Sequence, residues 1–333
     1  MSILDGKNVL LTGATGSFGK RFVRHVLAHH RPARLVLFSR DELKQFEMQE
    51  DPAFRSPALR WFLGDVRDPE RLHRAFDGVQ IVIHAAAMKQ VPASEYNPME
   101  AVKTNIIGAE NVINVCIDQE VERVIALSTD KAANPVNLYG ATKLCADKLF
   151  VAANALSGKH RARFSVVRYG NVVGSRGSVI PFFMQRRASG VLPITDVRMT
   201  RFWITLGQGV EFVLRCLETM QGGEIFVPKI PSMKLTEVAE VVAPGCRHEL
   251  IGIRPGEKLH EVMITQDDAP NVAEFDHHYV IQPAARWWDR ASYLEASGGR
   301  GVAEDFQYAS DRNPDWMSRE RLAEILKRET IEL

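Results

Sequence analysis

Thr129, Asp130, Lys131, Tyr139 and Lys143 combine, in one short stretch, the side chains needed to move protons at a carbon that bears a hydroxyl. Tyr139 and Lys143 are four residues apart, so on a helix they share a face one turn from each other. An ammonium beside a phenol favours the phenolate and lowers its pKa from about 10. That makes a base for a sugar or alcohol hydroxyl. Thr129, Asp130 and Lys131 add a hydroxyl, an acid and an amine just upstream. A lone Tyr-x-x-x-Lys is common on exposed helices, and an Asp-Lys pair is usually a solvated loop. The weight lies in their conjunction with what precedes them.

These residues need elements to hold them. Val124-Ile-Ala-Leu127 is a short apolar run that reads as a buried strand. Asn134-Pro135 breaks the chain, and a helix follows from Leu138 to 156. Upstream, Lys7 to Thr12 reads as a strand, Gly13-Ala-Thr-Gly-Ser-Phe-Gly19 as a glycine turn, and Phe22, Val23, Val26 and Leu27 as the apolar face of a helix. Strand, glycine turn and helix in that order are the fingerprint of a dinucleotide site. Gly13, Thr15, Gly16, Ser17, Phe18 and Gly19 would surround the pyrophosphate at the helix N-terminus. Leu35 to Phe38 is a second strand, ending at Ser39-Arg40-Asp41. A hydroxyl and a guanidinium suit a ribose 2′-phosphate, so NADP is preferred over NAD; Asp41 could still reach a ribose, and Arg40 could be a surface charge.

Leu59 to Leu63 is a third strand, followed by Asp65 and Val66 at the adenine; Asp68-Pro69 reads as a helix cap. Val79 to Ile83 is a fourth. His84 reads as a packed histidine, and Ala85, Ala86 and Ala87 let a cofactor lie against the backbone. Lys89 could face a substrate. Asn105, inside a helix expected over 97–117, could brace the active-site backbone. Arg163 to Arg168 is a sixth strand. The alternation predicts an α/β fold, a Rossmann-like doubly wound parallel sheet with a smaller C-terminal substrate lobe. Residues 1–170, with a return near 206–228, would form the dinucleotide-binding domain; 171–205 and 229–333 would form the substrate lobe and tail. Arg254 to Glu261 reads as a charged loop opening a helix, with Arg254 on a diphosphate and Glu257 on a ribose. A final helix is expected over Ser318 to Lys327.

Composition bounds the alternatives. A net charge of +1 over 333 residues gives no whole-chain field toward nucleic acid or membrane. Four scattered cysteines suggest a reduced, cytoplasmic protein without a disulfide framework or structural zinc. No apolar run reaches the roughly 18 residues of a membrane helix, and the early first strand leaves no room for a signal peptide.

Several stretches carry a resemblance: Ser39-Arg-Asp-Glu-Leu-Lys-Gln-Phe-Glu47, His84-Ala-Ala-Ala-Met-Lys89, Ser128-Thr-Asp-Lys-Ala132, Arg168-Tyr-Gly-Asn-Val-Val-Gly-Ser-Arg-Gly177, Arg198-Met-Thr-Arg-Phe-Trp203 and Gly252-Ile-Arg-Pro-Gly-Glu-Lys-Leu-His260. Within the extended short-chain dehydrogenases/reductases they resemble the C5-inverting UDP-N-acetylglucosamine 4,6-dehydratases that open pseudaminic acid biosynthesis. Thr-Asp-Lys is the specific part, since retaining relatives carry Thr-Asp-Glu. Gln90 departs from the family, which has histidine there. The resemblance implies a UDP-sugar substrate touched by Lys89, Asn171, Arg176, Val179, Thr195, Arg254 and Glu257. It implies that Tyr139, with Lys143 and Thr129, opens the reaction at the sugar 4-hydroxyl. Lys131, its pKa lowered by burial or a cation, would then take the C5 proton, and Asp130 would protonate the departing 6-hydroxyl. It also implies a homo-oligomer, a dimer through the 97–117 and 138–156 helices or a hexamer. The rival readings are a UDP-sugar 4-epimerase, which needs no acid–base pair at C5 and C6, and a non-enzymatic NADP-binding sensor.

Overall fold

Runs of aliphatic residues buried on both faces make parallel strands when helices cover the sheet, and the first half of the chain is written this way. In order come β1 (Asn8–Thr12), α1 (Ser17–His29), β2 (Arg34–Ser39), α2 (Glu42–Glu50), β3 (Leu59–Leu63), α3 (Pro69–Phe76), β4 (Ile81–His84), α4 (Val91–Tyr96), α5 (Pro98–Val102), α6 (Gly108–Asp118), β5 (Arg123–Thr129), α7 (Leu138–Leu156) and β6 (Arg163–Tyr169). The computed structural model describes residues 2–158 and 162–329. Val9, Leu10, Leu11, Val124 and Ile125 are fully buried in the sheet, with Phe22, Val23 and Val26 of α1 packed in the same core.

The second half adds β7 (Asn171–Val172), α8 (Val179–Arg186), β8 (Val191–Ile194), β9 (Thr200–Ile204), α9 (Leu206–Thr219), β10 (Ile225–Pro228), β11 (Ser232–Lys234), α10 (Leu235–Val242), β12 (Arg247–Leu250), β13 (Val262–Ile264), β14 (Val272–Glu274), β15 (His278–Ile281), α11 (Arg290–Ser297), β16 (Arg300–Gly301), β17 (Tyr308–Ala309) and α12 (Arg319–Arg328). The large sheet has the order β16-β14-β15-β10-β6-β5-β4-β1-β2-β3. It is parallel from β3 to β10 and antiparallel beyond, through β15, β14 and β16. Strand order reverses between β1 and β4, and ligands of open α/β sheets bind outside the carboxyl ends of the strands at such a point. There Thr12 of β1 stands opposite His84 of β4.

The smaller lobe has its own core of Ile180, Phe183, Leu192, Trp203, Met233 and Val238. α9 returns to the first lobe and shares its core through Val210, Val213 and Leu217. The expected helix over 97–117 begins at Pro98 and runs on through α6, with a wider π turn at Lys103–Ile107 that carries Asn105. Two expectations change. The loop 254–261 opens no helix but leads into β13, which pairs with β17 of the tail. And β14, β15 and β16, in the stretch assigned from sequence to the smaller lobe, extend the large sheet.

Candidate active site

A cavity of about 1050 Å³ runs along the carboxyl ends of β1, β2, β4, β5 and β6 and under the smaller lobe. At one end the glycine turn forms a cradle. Gly13 has φ +68°, and a Cβ there would lie 2.9 Å from the backbone of Ala85 and Ala86. A Cβ at Gly19 would meet the Ala14 carbonyl oxygen at 2.3 Å, so α1 packs this closely on the turn only with glycine. α1 starts at Gly16 without a side-chain cap, which leaves its first N–H groups for a phosphate. Thr12 Oγ1 accepts from Ala85 N and Ala86 N (3.1 and 3.2 Å) and lies 2.9 Å from His84 Nδ1. With both lone pairs used, the Thr12 hydroxyl donates to a neutral His84. Burial, and secondarily Lys143, push His84 down to about 3. His84 is a packed histidine that braces the turn.

The residues expected around a dinucleotide all line this cavity: Gly13, Thr15 to Gly19, Ser39, Arg40, Asp65, Val66 and Ala85 to Ala87. These surroundings fit the group. Ser39 Oγ accepts from Gln45 Nε2 (2.9 Å), so its own O–H is free to donate. Arg40 is exposed and 3.7 Å from Asp65. Asp41 caps α2 by accepting from Lys44 N and pairs with the Lys44 ammonium. Burial acts against the charge of Asp65, but hydrogen bonds from Arg67 outweigh it and hold the carboxyl below its ordinary value. Lys44, a second cation in the first turn of α2 just beyond β2, lines the cavity and was missed in the sequence, where it reads as an ordinary helix-surface lysine.

The catalytic candidates stand at the end of β5. Asn137 caps α7, its Oδ1 accepting from Gly140 N (2.7 Å), while its Nδ2 donates to Gly256 O (2.8 Å) in the smaller lobe. A Cβ at Gly140 would sit 2.1 Å from Lys131 O, so the glycine after Tyr139 lets α7 lie on the Thr129–Lys131 turn. Asn105 joins this frame, accepting from Met88 N (2.8 Å) and donating to Met88 O and Thr142 Oγ1.

Two electrostatic expectations are reversed. Burial pushes the Tyr139 phenol up to about 12, against the opposing pull of Lys131 and a hydrogen bond to Thr129. The cation that most favours the Tyr139 phenolate is therefore Lys131. Lys143 Nζ donates to Leu127 O at 2.7 Å; burial lowers its pKa, and the Asp147 carboxylate only partly offsets this. Asp147 Oδ2 accepts from Ser128 Oγ (2.8 Å) and Arg168 Nη2 (3.1 Å), all deeply buried. For Lys131, burial favours the free amine as expected, but Asp130 and Glu261 outweigh it and hold the ammonium above its ordinary value. Lys131 Nζ is 3.0 Å from Asp130 Oδ1 and 3.5 Å from Glu261 Oε1.

Asp130 lies behind the cavity wall. It is not among the lining residues; its Oδ1 accepts from Thr129 Oγ1 (2.9 Å) and Lys131 Nζ, and its Oδ2 has no hydrogen-bond partner. Glu261, Lys258 and Arg201 do line the cavity here and were not assigned chemistry from sequence. Their signal was the density of charge in Arg254–Glu261 and Arg198–Arg201, which reads equally well as an exposed turn.

Of the expected substrate contacts, Lys89, Asn171, Val179, Thr195, Arg254 and Glu257 line the cavity. Asn171 Oδ1 and Glu257 Oε2 are buried without partners, and Arg254 pairs with Glu257. Arg176 does not line it: its side chain is exposed, and its backbone carbonyl accepts from Lys89 Nζ at 3.0 Å. Gln90 lies against Gly177 at the cavity wall.

The family model for polysaccharide biosynthesis protein matches residues 9–283. The chain is 56% identical to the inverting UDP-N-acetylglucosamine 4,6-dehydratase of Campylobacter jejuni subsp. jejuni serotype O:23/36 (strain 81-176), covering 97% of this chain and 98% of that protein. It is 38% identical to a UDP-glucose 4-epimerase of Rickettsia felis, covering 96% and 95%. The solved structure of Pen from Bacillus thuringiensis superposes with a TM-score of 0.89 at 34% identity, covering 99% of this chain and all of that one. The chain therefore belongs to the polysaccharide biosynthesis protein family of extended short-chain dehydrogenases/reductases, among the inverting UDP-N-acetylglucosamine 4,6-dehydratases.

Proposed function

We propose that this chain converts UDP-N-acetylglucosamine to UDP-2-acetamido-2,6-dideoxy-β-L-arabino-hexos-4-ulose by removing water across C5–C6 with inversion at C5. The observation that carries the reading is Thr129-Asp130-Lys131 beside Tyr139, in a chain 56% identical to an inverting dehydratase over nearly its whole length. The cofactor is a nicotinamide dinucleotide, and Ser39 and Arg40 at the β2 tip, with Lys44 just beyond it, favour NADP by presenting one hydroxyl and two cations to a 2′-phosphate. When bound, it supplies the acceptor for two electrons from C4 and their later return at C6.

The chain's own residues handle the protons. Tyr139 takes the proton of the 4-hydroxyl, with Lys131 and Thr129 stabilising the phenolate against burial. Lys143 holds the cofactor side of the cavity, anchored on Leu127 O. The 4-ketone then acidifies the C5 proton. Lys131 takes that proton after passing its own to Asp130 Oδ1, 3.0 Å away, and as an ammonium then donates to the departing 6-hydroxyl. Arg254 and Glu257 exchange their mutual pairing for the substrate's diphosphate and ribose.

The epimerase reading draws on the 38% identity to the Rickettsia protein. It leaves Lys131 no role beyond steadying the Tyr139 phenolate and its two carboxylates without a task, because epimerisation at C4 does not touch C5. Incubation of the chain with UDP-N-acetylglucosamine in D₂O separates the two: deuterium at C5 of a 4-keto-6-deoxy product supports dehydration, and a C4 epimer with its C5 proton retained overturns it.

A further inference from the structure

The chain after β7 crosses the cavity and is tied down on both sides of it. Arg176 N donates to Ser17 Oγ at 3.2 Å, in the first turn of α1, where the pyrophosphate of a dinucleotide would lie. Arg176 O accepts from Lys89 Nζ at 3.0 Å, on the loop after β4. One residue thus bridges the glycine turn and the β4 loop, while its neighbours Ser175, Gly177 and Ser178 line the cavity beneath. Gly174 and Gly177 flank the bridge with φ +70° and +72°, a left-handed backbone that favours glycine. A Cβ at Gly177 would also lie 2.6 Å from Gln90 Nε2, so this segment packs closely on the residue after Lys89. The Arg176 side chain is exposed, and its charge reaches Asp41. The Asp41 carboxyl is held below its ordinary value first by Lys44 and, more weakly, by Arg176. Asp41 lines the cavity with Arg40 and Lys44, at the end expected to hold the adenosine ribose.

We propose that residues 174–178 form a strap over the bound dinucleotide, with the Arg176 guanidinium as a further cation for a phosphate of that cofactor. The proposal rests on the nicotinamide reading above. From sequence, Arg176 was expected on the UDP-sugar. Its exposed side chain and its proximity to Asp41 point instead to the dinucleotide end of the cavity. There a guanidinium at the rim suits a 2′-phosphate, which it recognises by paired N–H donation. Arg176 itself contributes two hydrogen bonds to the strap's hold, one at each side, few enough to break and re-form as a dinucleotide enters. A redox-neutral reaction gains from such cover. The two electrons taken at C4 must return to the same sugar at C6, and a cofactor lost in between leaves that sugar oxidised.

The test measures dinucleotide release without turnover. NADPH or NADH is bound to the full chain and chased with excess NADP, and the loss of bound fluorescence is followed by stopped flow in the wild type, Arg176→Ala and Gly177→Ala. Arg176→Ala should release NADPH about tenfold faster, since a lost hydrogen bond to a charged group shows mainly in the off-rate. If NADH release is unchanged, the guanidinium serves the 2′-phosphate; if both dinucleotides leave faster, it serves the pyrophosphate. Gly177→Ala strains the strap itself and should speed the release of both. Release of both dinucleotides from Arg176→Ala at the wild-type rate overturns the assignment of the guanidinium, and weaker UDP binding in that variant would return the residue to the UDP-sugar. Release from Gly177→Ala at the wild-type rate overturns the strap. If the wild-type chain binds neither dinucleotide, the nicotinamide reading itself fails, and the two failures are told apart.

Discussion

Lys131→Met tests the electrostatics on which the site depends. Methionine keeps the unbranched apolar stem and removes the charge between Asp130 at 3.0 Å and Glu261 at 3.5 Å. Glu261 retains Arg201 and Lys258 nearby. Asp130, 1% exposed, retains the Thr129 hydroxyl as a hydrogen-bond donor and the Lys258 charge at longer range. Orphaning one member of a buried pair costs ~3–5 kcal/mol. Because the Lys131 side chain is 27% exposed, water screens part of the pair, and about 2–3 kcal/mol is the better figure. For a chain of this size that is a fall in Tm of roughly 5 °C. The sign of the pH dependence follows. In the wild type the raised Lys131 pKa contributes stability that is present below the unfolded value and lost as pH rises through the folded one. That contribution is full at both pH 5 and pH 8, which lie below the unfolded lysine value. Thermal unfolding of both proteins at the two pH values, followed by circular dichroism, should show the same gap at each. Equal Tm values for the two proteins, or a gap that opens only at one pH, would refute the reasoning. Turnover should fall by about 10²–10⁴-fold with the loss of the proton donor.

Asp147→Asn leaves Arg168 buried without a counter-charge and removes the carboxylate facing Lys143, so a loss of about 3–5 kcal/mol is expected in chemical denaturation; a change under about 1 kcal/mol would show that the network contributes little. Arg40→Ala and Lys44→Ala should each raise the Kd for NADP about tenfold and leave NAD nearly unchanged, and isothermal titration showing equal losses for both dinucleotides would remove these residues from 2′-phosphate recognition. Gly19→Ala places a Cβ 2.3 Å from Ala14 O. It should cost roughly 2–3 kcal/mol and weaken dinucleotide binding along with stability, whereas native cofactor affinity would mean that the turn relaxes without cost.

Much of the first lobe was legible because its elements are local. The aliphatic runs of β1 to β6 and the helix Leu138–Leu156 carry their period in consecutive residues. Asn105 was legible as a brace because a buried amide in a helix needs partners, and it has them on Met88 and Thr142. What was hidden depends on contacts distant in sequence. Tyr139 and Lys143 do share a helix face, yet Leu127 O holds the lysine and Lys131 supplies the nearby charge. The charged run ending at Glu261 looks solvent-facing, but Lys258 and Glu261 turn inward to meet Asp130 and Lys131. The antiparallel pairing of β14, β15 and β16 onto the large sheet has no local signature in strands this short.

The most direct measurement is the NMR spectrum of the product formed from UDP-N-acetylglucosamine in D₂O. The account predicts a 4-keto-6-deoxy sugar of the L-arabino configuration with deuterium at C5. A product of unchanged C5 configuration, or one that keeps its original C5 proton, would contradict it.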